Sequence, residues 1–150
     1  MDDNGLLGII GLARKAGKLH LGEESAAAAA LDHKTRLILV ASDAAENTAQ
    51  RIRRAAETGN AVCLSIPHSK EELGGAVGRK SCAVAAFSDV GLAAAAVRKL
   101  AGLDPQQYGE AARKLSHKAE KTDRRRRERR QREKEARSAR PWSPPPKGKL

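Results

Sequence analysis

Aromatic residues are almost missing from this sequence: 150 residues hold one Phe, one Tyr and one Trp, and Phe87 is the sole aromatic before Tyr108. A core must therefore be assembled from Ala, Val, Ile and Leu, and stacking of bases on an aromatic platform is disfavoured as a binding mode. Cysteine is scarce as well. Cys63 and Cys82 lie in separate apolar runs and form no Cys-x-x-Cys pair, so they read as reduced core residues rather than a redox or zinc site. No run approaches the roughly 20 apolar residues of a membrane span. The opening Met1-Asp2-Asp3 lacks the basic start of a signal peptide. A cytoplasmic protein without a membrane partner is expected.

Catalytic constellations are missing too. His20, His33, His68 and His117 are scattered, with no partner at metal-ligand spacing, and read as surface or boundary residues. Gly11 to Lys18 imitates a phosphate-binding loop. It has one residue too many between its glycines, Leu19 where a hydroxyl should hold magnesium, and no strand before it. No serine sits in a nucleophile elbow, and neither cysteine has charged neighbours that would lower its pKa. The paired carboxylates Glu23-Glu24 and Glu71-Glu72 fall at predicted helix starts, where capping accounts for them. No enzyme, cofactor or metal is expected.

What the sequence does have is positive charge at one end. The net charge is +11; up to Gly102 there are 13 basic and 11 acidic residues, and from Leu103 onward 16 and 7. Such asymmetry favours a polyanionic partner, because each neutralised phosphate releases counterions. The alternative is a solvated tail that keeps the protein soluble.

The first hundred residues alternate between helical and strand patterns. Leu6, Leu7, Ile9, Ile10, Leu12 and Ala13 share a helical face that stops at Gly17-Lys18. Ser25 to Leu31 is alanine-rich and helical, entered through Gly22-Glu23-Glu24. Arg36–Ala41, Ala61–Ile66 and Ser81–Phe87 read as buried strands, with a helix from Ala45 to Thr58 between the first two. Ser69 and Glu72 make a capping-box pattern for a short helix to Val77, and Asp89 caps a last one ending near Gly102. The expected fold is a three-layer α/β/α sandwich with a small mixed sheet of three or four strands. Residues 1–102 form the domain, and 103–150 an arginine-rich tail that is disordered or a solvated helix. Pro141 and Pro144–Pro146 would end such a helix.

Three segments carry a specific resemblance. Gly11-Leu12-Ala13-Arg14-Lys15-Ala16-Gly17-Lys18-Leu19 runs into Gly22-Glu23-Glu24-Ser25; Leu39-Val40-Ala41-Ser42-Asp43-Ala44-Ala45-Glu46-Asn47-Thr48 follows; Lys70-Glu71-Glu72-Leu73-Gly74 leads to Gly78. In order and spacing over roughly residues 5 to 102 they resemble the kink-turn-binding ribosomal-protein superfamily of the L-seven-Ae and L-thirty-e type, in its bacterial YlxQ-like branch. The resemblance implies the sandwich above, and a monomer that binds structured RNA, ribosomal RNA among the candidates.

It also implies a site. The family's Gly-Ala-Asn-Glu-x-x-Lys stretch matches Gly22 to Ala28, with Glu24 at the Asn position, Ser25 at the Glu position and Ala28 at the position of the phosphate-directed Lys. The loop that covers an extruded nucleotide maps to Gly78, Arg79, Lys80 and Ser81. Glu23 and Glu24 put negative charge at the helix start, while Arg14, Lys15 and Lys18 add positive charge nearby in sequence. Arg124, Arg125, Arg126, Arg127, Arg129 and Arg130 are the expected tail contacts to phosphate. A second reading is a protein-interaction module, in which Glu23 and Glu24 meet a basic protein and the tail is solubilising.

Overall fold

Alternation along the strands sets the layers. A computed structural model describes residues 5–139. Four short strands, β1 (Leu19–Leu21), β2 (Leu37–Val40), β3 (Val62–Ser65) and β4 (Val84–Phe87), form one sheet in the order β1-β4-β2-β3. β2 and β3 run parallel, and β4 is antiparallel to both β1 and β2. Leu37, Leu39, Ala85 and Phe87 turn to one face; Ile38, Val40, Val84 and Ala86 turn to the other, and all are buried. Each face needs a helical layer, which makes the expected sandwich with a mixed sheet.

The first face is covered by α1 (Leu6–Lys15), α4 (Lys70–Ala76) and α5 (Val90–Leu103). Leu6, Ile10 and Ala13 are the buried stripe of α1, and Ala93, Ala94, Ala96, Val97 and Leu100 that of α5. Ser69 and Glu72 close the capping box of α4, and the Leu92 amide donates to Asp89 Oδ2 at 2.9 Å to open α5. The second face is covered by α2 (Glu23–Leu31) and α3 (Glu46–Thr58), packed through small side chains: Ala26, Ala27, Ala30, Ala49, Ile52, Ala55 and Ala56. Alanine permits close approach, and at Gly59 even alanine is too large: a Cβ there would stand 1.8 Å from the Ala30 carbonyl oxygen.

The packed unit runs past the boundary expected at Gly102. It spans Met1–Ala119, because α6 (Pro105–Ala139) begins by placing Tyr108, Ala112 and Leu115 in the buried cluster that also holds the α5 stripe. These residues sit at i, i+4 and i+7, an apolar stripe hidden in a strongly charged stretch. Val62 and Ile66 donate their amides to Arg36 and Val40 of the neighbouring strand, so the backbone groups of Cys63 and Ser65 turn to the open edge of β3. There the Tyr108 hydroxyl donates to the Ser65 carbonyl at 2.6 Å.

The second unit, Glu120–Leu150, is helical over its described residues, and the arginines among those are exposed. Of the two expectations for the tail, the solvated helix matches. The helix stop expected at Pro141 and Pro144–Pro146 lies outside the described residues. Three further differences stand. The strand expected at Ser81–Phe87 begins only at Val84, His68 is buried rather than at the surface, and Leu19–Leu21 supplies a strand in the stretch between the first two helices. Among the described residues no helix is long and apolar enough to cross a membrane.

Candidate nucleic-acid interface

Sheet pairing brings two distant glycine loops together. Leu21, the last residue of β1, pairs with Ala85, and the Gly22 amide donates to the Val84 carbonyl at 2.9 Å. Gly22 has φ +89, a conformation L side chains rarely adopt, and turns the chain from β1 into α2. As N-cap it offers no side chain to the first-turn amides of α2, which therefore have no capping partner from it. Val84 lies just beyond the second loop, Gly78 to Ala83. That loop is strapped to α4: the Arg79 amide donates to the Gly74 carbonyl at 2.8 Å, and Cys82 to that of Lys70 at 2.9 Å. Gly74 makes the strap possible, since a Cβ there would lie 2.6 Å from Ser81 Cα. Gly78, Arg79, Lys80 and Ser81 are left exposed on a well-anchored loop.

Arg14 and Lys15, in the last turn of α1, line a groove of about 750 Å³ together with Leu12, Ala76, Val77 and Gly78, so they flank the second loop. Lys18 does not join them at Gly22. Its carbonyl accepts from Ser88 at 3.0 Å, at the opposite end of β1. Ser25 and Ala28 are exposed on α2 and border a shallow hollow with His20 and Asp32. The family's cation is therefore missing at a surface position, where a lysine would have room.

Glu23 and Glu24 are not engaged in capping, as the sequence suggested; they reach sideways to α3. Thr48 Oγ1 donates to Glu23 Oε1 at 2.6 Å, and Arg51 Nη1 reaches Glu23 Oε2 at 2.6 Å and Glu24 Oε1 at 2.8 Å. The hydrogen bond from Thr48, then that from Arg51, holds the Glu23 carboxyl below its ordinary pKa. Arg51 does the same for Glu24 by hydrogen bond and charge, and its own pKa rises in return. Sequence reasoning missed Thr48 and Arg51. The available signal was a pair of acidic residues on a helix with no basic residue of its own, followed by an arginine-bearing helix.

The arrangement offers cationic side chains and carboxylate acceptors. Burial, partly offset by Arg53, pushes the Cys63 thiol pKa up, away from a reactive thiolate. Among the described residues no group of three or more His, Cys, Asp or Glu is placed to hold a metal ion.

A model of the Ribosomal protein L7Ae/L30e/S12e/Gadd45 family matches residues 6–96. The chain belongs to that family. The match takes in both glycine loops and the first half of α5, and leaves α6 outside. RNA-binding protein YlxQ of Enterococcus faecium is 35% identical over 60 residues, which are 40% of this chain and 58% of that protein, less than two thirds of its length. Within the L7Ae family the chain is YlxQ-like. Among solved structures, a protein of unknown function from Bacillus halodurans C superposes with a TM-score of 0.61 at 23% identity, covering 65% of this chain and 97% of that one. The Giardia lamblia 15.5kD RNA binding protein gives 0.53 at 19%, covering 67% and 85%. Both likenesses are of the fold alone, and the family membership rests on the match over residues 6–96.

Proposed function

We propose that this L7Ae-family chain is a non-enzymatic, cytoplasmic binder of structured RNA, of the kink-turn or internal-loop kind, working in a ribosomal or translational setting. The observation that carries the reading is the meeting of Gly22 with Val84, which sets the start of α2 beside the loop that bears Arg79 and Lys80. A phosphate at the α2 N-terminus is met by backbone amides, Arg79 and Lys80 take the neighbouring backbone, and Arg14 and Lys15 extend the cationic strip. Glu24 and Ser25 are exposed at the same helix start, where a carboxylate accepts from base amino groups. Arg124–Arg127, Arg129 and Arg130 add phosphate affinity that is indifferent to sequence. The names of the YlxQ and Giardia relatives point the same way. The protein-partner reading needs Glu23 and Glu24 to seek a base outside the chain, and Arg51 already supplies one.

The test uses the chain ended at Ala119, which keeps the packed unit and removes the tail's indiscriminate attraction. It is expected to prefer an RNA with an internal loop and sheared G·A pairs over a plain duplex of equal length, since exposed base edges discriminate and phosphates do not. Arg79→Glu with Lys80→Glu should erase that preference, while Arg53→Glu with Arg54→Glu, on α3 and outside the two loops, should leave most of it. Equal affinity for both RNAs would reject the reading.

A further inference from the structure

Two neighbouring carboxylates stand at the very helix start where a phosphate is expected, and left alone they would repel it. The structure holds them aside. One guanidinium nitrogen of Arg51 bridges Glu23 Oε2 and Glu24 Oε1, and Thr48 takes Glu23 Oε1. Among the described residues none donates to Glu24 Oε2, on a side chain 87% exposed. The contact of Gly59 with Ala30 keeps α3 close against α2, so the reach of Arg51 is fixed by packing and not by chance. We propose that Arg51 is a positioning residue of the RNA site: it draws Glu23 and Glu24 toward α3, offsets part of their charge, and leaves the first-turn amides of α2 open to a phosphate.

This inference rests on the RNA reading above and adds a residue that no family motif in the sequence marks. Exposed ion pairs contribute little to folding, so stability alone gives the arrangement small value. Its effect is on the field at the helix start. Carboxyls held below their ordinary range and a guanidinium held above its own keep the contact charged at neutral pH. An oxygen of Glu24 stays available, so the same contact orients an acceptor toward base amino groups.

The experiment uses the full chain, an internal-loop RNA with sheared G·A pairs, and excess plain duplex as competitor. Arg51→Met should weaken binding by about three- to tenfold at low salt, with the deficit shrinking as salt screens the uncovered carboxylates. In a Glu23→Gln, Glu24→Gln background the same replacement should change affinity by less than about twofold, because no charge is left to hold. Arg51→Lys should retain most of the binding. Carboxyl titrations followed by NMR should move upward for Glu23 and Glu24 in Arg51→Met, which registers loss of the contact itself, while the salt-dependent loss of RNA affinity is the readout that a merely structural role would not move. Unchanged affinity of Arg51→Met would overturn the proposal, and so would an equal loss in the double-Gln background, which would mean that Arg51 touches RNA itself. If the parent shows no preference for the internal-loop RNA, the RNA reading falls first and takes this inference with it.

Discussion

The unit Met1–Ala119 carries 16 basic and 13 acidic residues, whereas the shorter unit Glu120–Leu150 carries 13 and 5. The first, near electrical balance, is specified by what it buries: each helix has an apolar stripe matched to one face of the sheet. The second is helical without burying anything across its arginine run, sustained by propensity and i,i+4 pairs such as Gln131 to Glu135 at 2.8 Å. A shaped, weakly charged surface suits discrimination and a strongly charged, unshaped one suits attraction; under the proposed function the two tasks fall to separate units.

The sharpest way to break that comparison is to cut the chain in two places. Ending it after Gly102 removes Tyr108, Ala112 and Leu115 from the core and should cost on the order of 5 kcal/mol by denaturant unfolding, since each large buried side chain contributes about 1.5–3 kcal/mol. Ending it after Ala119 should leave unfolding nearly unchanged. Similar stability of both fragments would show that the start of α6 is dispensable. A smaller effect is expected from replacing Arg124–Arg127, Arg129 and Arg130 with Gln. RNA affinity should fall and the slope of log affinity against log salt flatten by up to roughly five, with Tm untouched. An unaltered slope would remove the tail from the binding account. The mildest change is Tyr108→Phe, expected to lower stability by about 1 kcal/mol through one lost hydrogen bond while its ring stays buried.

Most of the fold was legible in the sequence because burial leaves periodic marks: the run Arg36–Ala41, the Ser69/Glu72 box and the Asp89 cap are local signals, and each element stands where its signal lies. What was not legible depends on partners far along the chain. Leu19–Leu21 is too short to show alternation and becomes a strand only by pairing with β4. The Tyr108, Ala112 and Leu115 stripe is obscured by surrounding charge, so composition alone put the boundary too early. At the candidate site, the two glycine loops were found by resemblance, but the role of Glu23 and Glu24 was not, because their partners Thr48 and Arg51 sit on another helix.

The hydroxyl of Tyr108 on the outward carbonyl of Ser65 bears on how this protein behaves in a crowded solution. β3 ends the sheet, and its Cys63 and Ser65 backbone groups face outward like the teeth of an unpaired ladder. Such an edge is a template for another chain's strand, and proteins guard it with bulk, charge or a covering element. Here Tyr108 takes the Ser65 carbonyl, and the partly buried Val62 and Leu64 belong to the same apolar cluster as Tyr108 and Leu115. The start of α6 is thus a chaperone built into its own chain: without it the core would lose stability and also gain a sticky border, so a shortened fragment that precipitates would be reporting on both losses at once.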